Sequence, residues 1–258
     1  MAQAVSTPDA LGLPGPDLAS YDRWPAADVL AWGIERFHPK LALVTAFQAE
    51  GMVLLDMASR IQRDIRVVTI DTGRLPDETY ELIDQVRGRY GIVVEVVFPD
   101  AAQVETMVER HGFNLFRHDP ALRELCCHVR KVVPLDRILD RFDAWIAGLR
   151  RSQDELRSGI GKVVPDAKHA GLVKIAPIAD WSREQVWNYI HEHKVPYNAL
   201  YDRGYVSIGC APCTRAVPPG LPERAGRWWW ESDQAKECGL HHESRSQRLE
   251  QELAWLPK

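Results

Sequence analysis

No apolar run in this 258-residue chain approaches the roughly 18 residues that a membrane-spanning helix needs, so no membrane segment is expected. The first residues also lack the cationic start and apolar centre of a secretory signal. Cationic excess is missing as well. The 32 Lys and Arg stand against 36 Asp and Glu, a formal net charge of −4. That balance speaks against a general nucleic-acid binder, whose affinity rests on neutralising phosphates. Internal repeats are absent, and at 45% hydrophobic residues the chain can fill the core of one large α/β domain. Cysteine is scarce, with five residues in all, and their placement is uneven. These features predict a cytoplasmic protein, in which paired cysteines more often mean metal or catalysis than disulfides.

Cys126 and Cys127 are adjacent, Cys210 and Cys213 have C-x-x-C spacing, and Cys238 stands alone. Four thiols in two close pairs predict one metal centre, because thiolates are soft ligands for zinc and for iron–sulfur clusters. Spacing leaves both open, although neighbouring side chains diverge and a cluster accepts ligands over a wider span. The fifth thiol is then left for chemistry. Glu237 before it would raise its pKa. Gly239 permits unusual backbone geometry, and His241 could assist a thiolate or hold an anion.

Arg130 and Lys131 follow the first pair directly. They read either as a solvated pair or as cations that balance thiolate charge and hold an anionic substrate. The same choice applies to Arg150, Arg151, Arg157, Arg215, Arg224 and Arg227. Trp228-Trp229-Trp230 reads as packing that pins the C-terminal arm, with stacking on a base as the alternative.

Hydrophobic periodicity gives the frame. Residues 1–20, with Gly12, Pro14, Gly15 and Pro16, read as a disordered leader. Helices are predicted over 25–37, 52–61, 77–90, 103–111 and 182–191, the last opened by the Ser182/Gln185 capping box. Strands are predicted over 41–46, 66–70, 92–98, 144–149 and 172–178. Such alternation implies an α/β fold with a mainly parallel sheet covered by helices on both faces. Ligands in such folds bind at the C-terminal ends of strands. Asp71-Thr72-Gly73 and Gly148-Leu149-Arg150-Arg151 would lie there, and the turn 45–51 would offer backbone N–H groups at a helix start. The domain is taken to span 21–205, with 206–258 an arm folded back on it.

Four motifs in order carry a resemblance: Ile70-Asp71-Thr72-Gly73-Arg74-Leu75-Pro76, the run Cys126–Leu135, Gly209-Cys210-Ala211-Pro212-Cys213-Thr214-Arg215, and Glu237-Cys238-Gly239-Leu240-His241. Over about residues 25–245 the chain resembles the assimilatory sulfonucleotide reductases, on the branch that acts on adenylylsulfate. The resemblance implies an adenine-nucleotide α-hydrolase-like fold and a [4Fe-4S] cluster on Cys126, Cys127, Cys210 and Cys213. It implies Cys238 as nucleophile, with Lys131 between cluster and sulfate. Arg157, Arg224, Arg227 and His241 would hold phosphate and sulfate, while Thr45, Ile70, Asp71 and Gly148 would receive the nucleotide. A thioredoxin-like dithiol would be the reductant, in assimilatory sulfate reduction and cysteine biosynthesis, and a homo-oligomer is the expected assembly. A relative using the 3′-phosphorylated substrate or both substrates is the alternative, and a zinc-stabilised nucleotide-binding protein is an alternative from another class. One motif departs from the family. The phosphosulfate turn, commonly Ser-Phe-Ser-Gly-Ala-Glu-Asp, here reads Thr45-Ala46-Phe47-Gln48-Ala49-Glu50-Gly51, with Phe47 at a serine position and Gly51 at an acidic one.

Overall fold

The computed structural model of the chain describes residues 18–231 and 247–257. A short 3-10 helix at Leu18–Arg23, overlapping the end of the expected leader, precedes α1 (Ala26–Phe37), which buries Val29, Leu30, Gly33 and Ile34. Then β1 (Leu41–Val44), α2 (Ala49–Ile61), β2 (Arg66–Ile70), α3 (Asp77–Tyr90), β3 (Val94–Val97) and α4 (Ala101–His111) alternate. The boundaries of α3 follow from its chemistry. Pro76 precedes it, Asp77 and Glu78 face the positive end of the helix dipole, Arg87 and Arg89 lie in the last turn, and Gly91 closes it at φ 66°.

The second half differs more from expectation. Residues 120–139 form a continuous helical stretch in three parts: α5 (Pro120–Cys127), a π-helical turn (His128–Val132) and α6 (Val133–Leu139). Asp119 caps α5 by accepting from Ala121 N at 2.7 Å, and Pro120 sits where its missing N–H costs nothing. β4 (Ala144–Ala147), β5 (Val163–Pro165), β6 (Val173–Ile175), α7 (Arg183–Glu192) and α8 (Gln247–Leu253) complete the regular elements. The predicted strands at 92–98, 144–149 and 172–178 are thus trimmed to β3, β4 and β6, because their flanking residues turn away from the sheet. The box expected at Ser182 is present: its side chain accepts from Gln185 N at 3.1 Å while Gln185 accepts from Ser182 N at 2.7 Å.

The six strands run in the order β3-β2-β1-β4-β6-β5, parallel throughout except for β5 against β6. Pro165 is accommodated because β5 is an edge strand. One core layer joins α1, α2 and α7 to the sheet through residues such as Leu30, Leu54 and Ile190; another packs Leu135, Ile138 and Leu139 against the opposite face. A third apolar cluster gathers Met107, Leu125, Trp228 and Leu249 around the four paired cysteines. Among the described residues no helix is long and apolar enough to cross a membrane.

Candidate active site

The order of connections reverses between β1 and β4, and a crevice opens at the C-terminal ends of those strands. It is a cavity of about 1140 Å³, including its solvent-open mouth. Thr45, Ile70 and Gly148 line it together with Lys131, Arg157, Arg224 and Arg227, so seven of the residues expected to meet substrate share one space. Asp71 is set apart from the lining. It is buried, accepting from Gly73 N at 2.7 Å and from the Tyr80 hydroxyl at 3.0 Å, and so braces the turn after β2.

The turn after β1 explains the departure in the phosphosulfate motif. Phe47 adopts φ 54°, a left-handed conformation a bulky residue rarely holds. Complete burial of its ring and a 2.9 Å bond from its N–H to Thr45 Oγ1 keep it there. A Cβ on Gly51 would clash with the same Oγ1. Thr45 therefore fills the space that a side chain at position 51 would take. Gly148 is equally constrained, since a Cβ there would lie 3.0 Å from Gly51 N. The two glycines let the start of α2 and the end of β4 meet as bare backbone.

The cationic side of the cavity is organised by ion pairs. Arg150 is almost wholly buried and donates to Glu50 Oε1 at 2.9 Å, Ser152 Oγ at 2.7 Å and Glu223 Oε2 at 2.7 Å. Its role is internal, not that of a free anion site. Gln153 donates to the same Glu50 oxygen at 2.9 Å and accepts from Arg157 Nη1 at 2.6 Å. Arg151 pairs with Asp22 at 2.8 Å, and Arg224 Nε lies 3.2 Å from Asp154. Arg215 is exposed and lies over the Trp229 ring, 5.2 Å from its centroid. Arg227 is 5% exposed, lies 4.8 Å from the Trp228 ring centroid, and its Nε has no hydrogen-bond partner among the described residues. A Cβ on Gly209 would strike that guanidinium, so only glycine admits it.

Cys126, Cys127, Cys210 and Cys213 line one enclosed cavity of about 330 Å³ with Arg74, Arg123, Arg130, Lys131, Phe116 and Trp228. All four are buried, reduced thiols. Among the described residues no three His, Cys, Asp or Glu converge closely enough to hold a single metal ion. The π-helical turn follows Cys127 at once and carries Arg130 and Lys131, so both cysteines and both cations lie on one helical stretch. Arg130 Nη1 donates to Thr72 O at 2.7 Å, tying this helix to the end of β2. Thr72 Oγ1 lies 3.3 Å from Cys210 Sγ. Burial raises the Cys210 pKa, but Lys131, the Thr72 hydroxyl and Arg227 outweigh it, and the pKa falls below its ordinary value. Burial and the neighbouring Cys210 push Cys213 up to about 12. Burial also raises Cys126, against the pull of Arg130. Four soft donors on one dry cavity, ringed by cations, fit an iron–sulfur cluster.

Lys131, Cys210 and Trp228 belong to the walls of both cavities. Trp228 is 1% exposed and packs in the apolar cluster around the paired cysteines, while Trp229 and Trp230 are half-buried. Cys238 and His241 lie outside the described residues. The sequence reading missed Glu50, Gln153 and Glu223. They are ordinary acids and amides in sequence, and only their convergence on Arg150 and Arg157 marks them.

Residues 40–216 match the phosphoadenosine phosphosulfate reductase domain. The chain is 47% identical over 201 residues to a protein of Allochromatium vinosum named adenosine 5′-phosphosulfate reductase, covering 78% of each. It is 44% identical over 214 residues to one of the same name from Burkholderia cepacia, covering 83% of this chain and 85% of that one. The crystal structure of phosphoadenylyl-sulfate (PAPS) reductase from Candida auris, a phosphate complex, superposes with a TM-score of 0.64 at 30% identity. That match covers 76% of this chain and 91% of the other. On its motifs, fold and relatives together, the chain belongs to the phosphoadenosine phosphosulfate reductase family.

Proposed function

We propose that the protein reduces adenylylsulfate to sulfite and AMP, with Cys238 as nucleophile and a thioredoxin-like dithiol as reductant. The observation that carries this reading is the shared wall: Lys131, Cys210 and Trp228 border both the crevice and the four-thiol cavity. The names of the curated relatives support adenylylsulfate as the substrate. The apolar stretch of the crevice, including Ile70, Leu135 and Leu149, suits an adenine ring, and the cationic side suits the phosphosulfate.

The reaction balances without a further reagent. The Cys238 thiolate attacks the sulfate sulfur, the bond from sulfur to the bridging oxygen breaks, and AMP leaves with that electron pair. The product is an S-sulfocysteine. One thiolate of the dithiol attacks the Cys238 sulfur, sulfite leaves with the S–S electron pair, and the second thiol resolves the mixed disulfide. The two electrons come from the dithiol. Arg157, Arg224 and Arg227 would offset charge on the departing phosphate, and Lys131 would meet the sulfate. Cys126, Cys127, Cys210 and Cys213 would hold a [4Fe-4S] cluster, which would supply fixed charge to the site and need not change redox state.

Anaerobic protein should be brown and should release sulfite from adenylylsulfate in the presence of thioredoxin, in preference to the 3′-phosphorylated compound. Cys238→Ala should abolish turnover and keep the colour. Colourless, zinc-containing protein that yields no sulfite from either compound would overturn the proposal.

A further inference from the structure

We infer that Arg150 is a positioning residue: by clasping Glu223 to Glu50 it holds the 222–227 arm over the crevice. Taking the crevice as the adenylylsulfate site proposed above, the clasp keeps Arg224 and Arg227 aimed at the phosphosulfate.

Three walls of the crevice come from segments far apart in sequence. Glu50 lies in the first turn of α2, Arg150 in the loop after β4, and Glu223 on the arm. Arg150 joins all three through one planar guanidinium, with both carboxylates within 2.9 Å. A lysine could not span two acids in this way, because it offers a compact point charge and no fork of donors. The side chain is 1% exposed, so water competes poorly for these bonds.

The far end of the arm is fixed differently. Arg215 N donates to Gly226 O at 3.1 Å, and Trp228 N donates to Cys213 O at 3.2 Å, so backbone pairing welds residues 226–228 to the C-x-x-C segment. A Cβ on Gly226 would strike Arg215 O, so the pairing is as close as backbone allows. Arg224 lies between these anchorages and Arg227 within the second, both on the crevice wall. A residue that fixes one end of such a segment acts on substrate through the arginines, without touching substrate itself. Its loss should weaken binding of the phosphosulfate before it alters the chemistry at sulfur.

The test uses full-length, anaerobically purified protein with Glu223→Ala and Glu223→Gln variants. Two quantities are read: steady-state kinetics on adenylylsulfate, and amide hydrogen exchange across 222–227 in the ligand-free protein. Glu223→Ala should raise KM by about tenfold while kcat stays within about twofold, and should speed exchange in 222–227 alone. Glu223→Gln keeps an acceptor for the guanidinium and should fall between Glu223→Ala and wild type. Unchanged KM with unchanged exchange would overturn the clasp. So would a fall in kcat and melting temperature at unchanged KM with faster exchange throughout the sheet, because that is the signature of general destabilisation. Wild-type protein inert on adenylylsulfate would overturn the proposed function instead, and the exchange result alone would then decide the clasp.

Discussion

Thr45 and Gly51 share one volume at the start of α2: the threonine hydroxyl stands where a Cβ on the glycine would have to go. The same hydroxyl accepts from Phe47 N at 2.9 Å and so holds the left-handed turn. Position 51 is small because position 45 is branched. Gly51→Ala should therefore cost about 1–3 kcal/mol of stability through overpacking. Thr45→Ala in the same molecule should recover part of that, giving a coupling of about 1 kcal/mol in a double-mutant cycle. Chemical denaturation of the four proteins checks it, and strict additivity would contradict the shared volume.

Cys213→Ser should remove a thiolate from the four-thiol cavity, and with it bound iron, from about four per chain to near zero. Lys131→Met should keep the iron, since lysine supplies no ligand, yet lower kcat/KM by about 100-fold through lost charge at the sulfate. Lys131→Arg should restore part of it. Iron analysis paired with sulfite release separates the two effects.

Asp166 gives a pH dependence of known sign. Burial raises its pKa, but the Trp145 indole N–H at 2.7 Å, the Lys168 amide at 2.9 Å and His169 at 3.1 Å together lower it below the ordinary carboxylate value. A depressed folded pKa means stabilisation that is present above the unfolded value of about 3.9 and lost as pH falls through the lower folded value. Asp166→Asn should thus cost about 1–2 kcal/mol near neutral pH, with the deficit shrinking below about pH 4. Urea titrations at pH 7 and at mildly acid pH compare the two proteins directly.

Ser182→Ala should destabilise the chain by about 1 kcal/mol, because it removes the acceptor for Gln185 N at the start of α7. Ser182→Asp should be close to neutral, since aspartate caps as well and its charge suits the helix start. Thermal melts resolve a change of this size.

Much of the frame was legible in the sequence because it rests on local chemistry. The helix over 77–90 follows from Pro76, the acidic first turn and the glycine after Tyr90, all within one short segment. The box at Ser182 is readable for the same reason. The paired cysteines predicted a single centre by count and spacing, and the four thiols do line one cavity. The helical stretch over 120–139 was not legible. Its π-helical turn breaks the regular period, and two prolines and two cysteines lie within it. The helix α8 escaped because its seven residues are too few to set a period.

The sequence by itself determined the parallel α/β frame, the motifs that mark the family and which cations could meet an anion, since each depends on residue type and spacing along the chain. Tertiary structure alone decided which of those cations face the crevice. Arg150 turned inward to Glu50 and Glu223, Arg151 turned to Asp22, and Arg227 remained on the crevice wall with an Nε that has no hydrogen-bond partner among the described residues. Arginines look alike in sequence; burial and the placing of acids from distant segments sort them, because a buried guanidinium must find its partners wherever the fold has put them.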